Sequence, residues 1–178
     1  MLPIIIEPME LETKILSREI QAALYDNGHT LGTAESCTGG RIAEAIISVP
    51  GASNYFKGGV VSYTNEVKEN ILHVSHEVLE EQTAVCEEVA RQMVIGACEA
   101  LNVDYAISAT GVAGPGGGTP SIPVGTVWLG YGSKDDVRTF KLTEDFGRDI
   151  NLAIATNKAL RLFLSYYQEK HPAEVKEQ

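Results

Sequence analysis

The chain has 178 residues, 44% of them hydrophobic, with 14 basic and 24 acidic side chains, giving a formal net charge of −10 and a pI of about 4.8. That length and composition suit one ordinary domain with a sizeable core. The acidic balance excludes a charge-driven nucleic-acid or anionic-membrane surface, so a small anionic ligand would need local donors. Three cysteines, Cys37, Cys86 and Cys98, form no C-x-x-C pair, and the histidines at 29, 73, 76 and 171 make no zinc spacing. A reduced, cytoplasmic setting without structural metal is expected. The apolar run at the N-terminus is too short for a signal peptide or a membrane span and lacks a basic flank.

In chain order, residues 1–10 hold Pro3, Pro8, Glu7 and Glu10 around Ile4-Ile5-Ile6 and read as an arm. Leu11, Ile15, Leu16, Ile20, Ala23 and Leu24 then mark an amphipathic helix that Asn27-Gly28 ends. A strand over 29–33 runs into Thr33-Ala34-Glu35-Ser36-Cys37-Thr38-Gly39-Gly40 and a helix beginning at Arg41. A strand-to-helix turn of hydroxyls, a thiol and glycines has two readings. It is an ordinary helix start capped by Ser36 or Thr38, or it is a turn whose free amides and helix dipole favour an anion.

Residues 55–63 read as a strand whose Gly58-Gly59 signals a bulge or a close backbone approach. Thr64 or Asn65 would cap a short helix with Val67, Ile71 and Leu72 inward. Lys68 on that helix is either a solvated lysine pairing with Glu66 or Glu69, or a base whose pKa burial has lowered. Residues 83–101 carry the longest helical pattern, with Val85, Val89, Met93, Ala97 and Ala100 or Leu101 as its stripe. A buried strand over 105–110 leads into Gly111-Val112-Ala113-Gly114-Pro115-Gly116-Gly117-Gly118. This loop fits neither the P-loop nor the dinucleotide fingerprint, and is either flexible or a backbone cradle for a phosphate or ring. A hairpin over 125–132 and 137–142 and a helix over 149–167 complete the fold, leaving 168–178 as a charged tail. Alternating helices and buried strands argue for α/β, a three-layer α/β/α sandwich with a mixed, mostly parallel sheet, over a single domain of residues 11–167.

For chemistry, Ser36 is a nucleophile in search of a base, and no histidine is well placed; Lys68 is the alternative. Cys37 competes with Ser36, because a helix N-terminus lowers a thiol pKa, or else it fills the core. Tyr63 and Arg148 are site residues or, respectively, a strand-end aromatic and a helix-start surface charge.

Four blocks in one order resemble the CinA C-terminal domain family, the nicotinamide-nucleotide amidohydrolases of the competence-damage-inducible group. They are residues 34–40, residues 58–63 with Asn65 and Lys68, residues 109–117, and Pro123-Val124-Gly125-Thr126-Val127, and the resemblance covers roughly residues 11–165. It implies a three-layer α/β/α homo-oligomer that deamidates nicotinamide mononucleotide to nicotinate mononucleotide and ammonia without metal or cofactor. It also implies Ser36 as nucleophile, Lys68 as base and Tyr63 beside them. Thr110 and Arg148 would position the substrate, and Cys37, Thr38, Gly39, Gly40, Gly111, Gly114 and Gly116 would line its site. The chain departs from the family pattern at Thr83-Ala84-Val85-Cys86, where Gly-Ala-Val-Ser is usual, and around Arg148, where the preceding aspartate is Gly147 and a later arginine is Leu152. A binding module of the same fold without turnover, and an amidohydrolase for a related pyridine or nucleoside amide, are the alternatives these departures leave open.

Overall fold

A computed structural model describes residues 2–172, with side chains from residue 9 onward. Its elements are α1 (Leu2–Asn27), β1 (Leu31–Glu35), α2 (Arg41–Ile47), a 3-10 turn (Ala52–Asn54), β2 (Phe56–Val61), α3 (Asn65–Leu72), α4 (His76–Gln82), α5 (Glu87–Leu101), β3 (Tyr105–Gly111), β4 (Val127–Ser133), β5 (Asp136–Leu142) and α6 (Arg148–Lys170). The sheet order is β2-β1-β3-β4-β5. β1 pairs parallel with both β2 and β3, while β3–β4 and β4–β5 are antiparallel, so β4 alone runs against the other four strands. The mixed α/β sandwich expected from the alternation of elements is therefore the fold.

Each sheet face carries its own core. Leu16, Ile20 and Leu24 of α1, Ile42 and Ile46 of α2, and Leu160 and Phe163 of α6 bury the face that shows Leu31, Ile107 and Leu129. Leu72 of α3, Leu79 of α4 and Val89, Met93 and Ala97 of α5 cover Ala34 and Ala106 on the other. The period-2 alternation of the strands decides which residue meets which layer.

Several expected boundaries change: β1 begins at Leu31 and not at residue 29, β2 spans Phe56–Val61 within the expected 55–63, and α5 begins at Glu87 and not at residue 83. Of the arm expected over residues 1–10, residues 2–10 are the beginning of α1, and residue 1 lies outside the described residues. There the Met9 carbonyl accepts from Thr13 Oγ1 (2.7 Å) and from Asn157 Nδ2 of α6 (2.9 Å), which ties the segment to the helix layer. α6 continues to Lys170, and the rest of the expected tail, residues 173–178, lies outside the described residues. The element α4, which has a single buried apolar residue, Leu79, was absent from the periodic reading, although Ser75 caps it by accepting from the Val78 amide (3.4 Å).

Both meanings of Gly58-Gly59 are realised. The pairing of β1 with β2 slips at Leu31/Gly32, so that Leu31 faces Phe56 and Gly32 faces Gly58. A Cβ on Gly59 would lie 2.3 Å from Thr33 Oγ1 and 3.5 Å from the Ala43 Cβ of α2. Gly96 of α5 does the same for α3: a Cβ there would stand 2.0 Å from the Leu72 carbonyl oxygen, a backbone atom that cannot swing aside. The contact seats α3, and with it Lys68, directly on α5. Gly96→Ala should therefore destabilise the protein by about 1–3 kcal/mol or more through overpacking, read as a lower urea midpoint at unchanged slope.

Candidate active site

Strands β1, β2, β3 and β5 point the same way, so their carboxyl ends open on one edge of the sheet, where α/β proteins place ligands. Four segments meet there: the turn after Glu35, the β2–α3 junction, the loop after Thr110, and the start of α6. Between them lies a cleft of about 290 Å³ whose walls include Ser36, Lys68, Thr110 and Arg148.

Ser36 is anchored by its own backbone. Its amide donates to Ala109 O (2.8 Å) and its carbonyl accepts from the Gly39 amide (3.1 Å). Lys68 reaches it from α3, where Thr64 caps the helix by accepting from the Val67 amide (3.3 Å) and the Lys68 amide closes the first turn on Thr64 O (3.1 Å). The Lys68 Nζ donates to Ser36 Oγ at 3.0 Å and to Ser62 O at 2.7 Å. Lys68 is 1% exposed and Ser36 8%. Burial penalises the ammonium and pushes the Lys68 pKa below its ordinary 10.5, although the neighbouring Cys37 opposes this. The solvated lysine is thereby excluded, and Glu69 contacts His76 Nδ1 instead (3.1 Å).

Cys37 is not a rival nucleophile. Its thiol lines the cleft but is pushed up to about 12, first by burial, so it stays protonated and only weakly nucleophilic at neutral pH.

The turn after Ser36 differs from the anion cradle that strand-to-helix chemistry suggests. Glu35, 1% exposed, turns its carboxylate onto the start of α2: Oε1 accepts from Thr38 Oγ1 (2.8 Å) and the Ile42 amide (2.8 Å), and Oε2 accepts from the Ala43 amide (3.0 Å). The helix end is filled by a residue of the chain itself. Thr38, Gly39 and Gly40 accordingly stand behind the cleft rather than on its wall, with both glycines at positive φ (60° and 105°). Among the described residues, the Cys37 and Thr38 amides have no main-chain acceptor and face the Cys37 sulfur, a weak acceptor.

The other expected residues are brought together with different emphases. Tyr63 is 62% exposed at the rim of the cleft, and among the described residues no hydrogen bond joins it to Ser36 or Lys68. Thr110 is on the wall, but its hydroxyl proton goes to Ala84 O (2.7 Å), which tethers the segment 83–86 to the end of β3. Gly111, Gly114 and Gly116 line the cleft as expected. Arg148 donates to Gly114 O (2.9 Å), and the buried Asn151 donates to Ala113 O (3.0 Å) and Asp145 Oδ1 (2.8 Å), so the loop is clamped to α6 rather than free. Sequence reasoning assigned no site role to Ala84 and Val85, which form one wall, or to Asn65. The placement of Asn65 immediately after the Thr64 cap was the available signal. Thr83 has φ 68° and ψ 172°, a conformation suited to glycine, and so carries backbone strain into that wall.

Geometry thus defines an α/β protein with a buried Ser–Lys pair at the carboxyl ends of a mixed sheet. A family model, the CinA C-terminal domain, matches residues 13–167, and the chain belongs to that family. A CinA-like protein of Leptospira borgpetersenii serovar Hardjo-bovis is 51% identical over 124 residues, 70% of this chain. The match spans 30% of that relative's length. Two crystal structures are similar over nearly their whole length. The competence/damage inducible protein CihA of Agrobacterium tumefaciens has a TM-score of 0.84 at 35% identity, covering 86% of this chain and 94% of that one. The competence damage-inducible protein A (ComA) of Klebsiella pneumoniae has a TM-score of 0.85 at 32% identity, covering 90% and 99%. Among the described residues no helix is long and apolar enough to cross a membrane.

The lowered Lys68 pKa has a signed consequence for stability. Between the folded pKa and 10.5 the unfolded chain binds more protons than the native one at this residue, so native stability gains with rising pH across that window. The wild type should therefore gain stability relative to Lys68→Met as pH rises toward 10.5, measured as the difference in urea-unfolding free energy. Parallel curves from neutral pH upward would show that Lys68 is not desolvated.

Proposed function

We propose that this protein hydrolyses the carboxamide of nicotinamide mononucleotide to nicotinate mononucleotide and ammonia. The observation that carries this reading is the 3.0 Å contact between the buried Lys68 Nζ and Ser36 Oγ. Family membership supports the choice of substrate.

In the acting state Lys68 is neutral, one N–H donates to Ser62 O, and the nitrogen lone pair accepts the Ser36 hydroxyl proton. Ser36 Oγ attacks the amide carbon, a C–O bond forms, and the proton passes to Lys68. Negative charge develops on the carbonyl oxygen, where the amide of Cys37, a residue on the cleft wall with no main-chain acceptor for its N–H, can donate. Collapse breaks the C–N bond while the Lys68 ammonium returns its proton to the departing nitrogen, giving ammonia and an acyl-Ser36 ester. Water then attacks the ester with Lys68 again taking a proton, and Ser36 leaves reprotonated. Arg148 keeps guanidinium donors beyond the one it gives to Gly114, and these suit the substrate phosphate at the open side of the cleft.

Purified protein with nicotinamide mononucleotide and a chelator should release ammonia and nicotinate mononucleotide. Ser36→Ala should lower kcat by at least about 10³-fold, and Lys68→Met by about 10²–10⁴-fold. kcat/KM should rise with pH along a limb whose midpoint lies below the ordinary lysine value of 10.5. Full activity in Ser36→Ala would rule out the serine mechanism. Arg148→Ala should raise KM for the nucleotide by about 10–100-fold while leaving the already weaker use of the dephosphorylated nucleoside much less affected; equal losses on both would place the phosphate elsewhere.

A further inference from the structure

We propose that Glu35 is a positioning residue for Ser36: a buried carboxylate that holds the nucleophile turn at the distance Lys68 requires. This rests on the amidohydrolase reading of the same site and adds a residue to which that chemistry gives no part.

A carboxylate at 1% exposure is costly unless its charge is met by hydrogen bonds. Here three donors meet it, and all three belong to the segment that follows Ser36: the Thr38 hydroxyl and the Ile42 and Ala43 amides. The two amides are the second and third of α2, whose N-cap, Gly40, has no side chain and makes no capping bond. Glu35 thus supplies the missing cap from the strand before the turn. In doing so it closes residues 36–40 into a loop pinned at both ends, with Gly39 and Gly40 taking the positive φ that such a short return needs.

The main chain of Glu35 completes the link to the base. Its carbonyl accepts from the Ser62 amide (2.8 Å), and the Ser62 carbonyl accepts from Lys68 Nζ (2.7 Å). One residue therefore fixes the turn bearing the nucleophile through its side chain and the anchor of the base through its backbone. A displacement of about 1 Å between reacting groups can cost on the order of 10²-fold in rate. Glutamine is no substitute, because one of its terminal atoms is a donor and would oppose either the Ala43 N–H or the Thr38 and Ile42 donors.

The test measures kcat and KM for nicotinamide mononucleotide in Glu35→Gln, Thr38→Val and Thr38→Ser, normalised to the folded fraction from circular dichroism. Glu35→Gln should lose about 100-fold in kcat and Thr38→Val about 10-fold, with KM changed little. Thr38→Ser, which restores the hydroxyl, should recover most of what Thr38→Val loses. Wild-type kcat per folded molecule in both Glu35→Gln and Thr38→Val would overturn the proposal, as would a Thr38→Ser protein no better than Thr38→Val. If Glu35→Gln does not fold, the Thr38 pair decides alone. Should the wild type release no ammonia, the amidohydrolase reading fails instead. The positioning is then read from the rate at which a fluorophosphonate loses fluoride to Ser36 Oγ, with Thr38→Ser above Thr38→Val and Glu35→Gln slowest. Equal rates or absent labelling would overturn it.

Discussion

The burial of one amine sets the conditions for everything else in this cleft. A lysine in water is an ammonium at neutral pH and cannot take a proton from a serine. Burial moves Lys68 away from that condition, lowering its pKa, because α3 packs tightly enough to exclude solvent from its Nζ, leaving Ser62 O and Ser36 Oγ as its polar partners among the described residues. The exclusion depends on backbone meeting backbone where Leu72 lies against Gly96, and on Thr64 fixing the residue at which α3 begins. Because Lys68 follows Thr64 by one helical turn, its side chain folds back over the end of β2 instead of reaching into solvent.

Alternation along a strand then lets adjacent residues serve opposite layers. Glu35 turns toward α2 and Ser36 toward α3, so the cap that orders the turn and the hydroxyl that accepts from Lys68 come from one dipeptide. The arrangement also closes the start of α2 to an external anion. The amides at the start of α2, the most favourable anion site in a strand-to-helix junction, already hold a carboxylate. Positive character in the cleft therefore comes chiefly from Arg148 on its wall.

Much of the scaffold was legible in the sequence because it depends on local periodicity. The presence and order of the strands β1, β2 and β3, their ends to within two residues, a cap at Thr64 or Asn65, and the stripe of Val89, Met93 and Ala97 follow from alternation, capping and helical spacing. What stayed ambiguous depends on contacts distant in the chain. Lys68 reads also as a surface lysine until the fold buries it beside Ser36 and Ser62, and Cys37 reads as an activated thiol or a core filler until burial raises its pKa. The Thr110 hydroxyl reads as a ligand group until Ala84, 26 residues earlier, is found to accept its proton. Glu35 escaped because its cap spans seven and eight residues, beyond the three-residue reach of the usual capping rules.

The acidic field of the molecule and the cationic cleft act over different distances. A net charge of −10 opposes the approach of an anion, yet exposed charges are screened beyond about 8–10 Å at physiological salt. Inside that range Arg148 and the walls decide, and one wall is distinctive. Thr83 holds a backbone geometry better suited to glycine, and the carbonyl of Ala84 beside it is tied to Thr110 on β3. Strain of that kind persists only where neighbouring contacts over-determine it. The Thr110–Ala84 bond therefore holds Val85 on the cleft wall at the expense of local backbone comfort, and the shape of the cleft on this side is set by β3 rather than by the intrinsic preference of the segment.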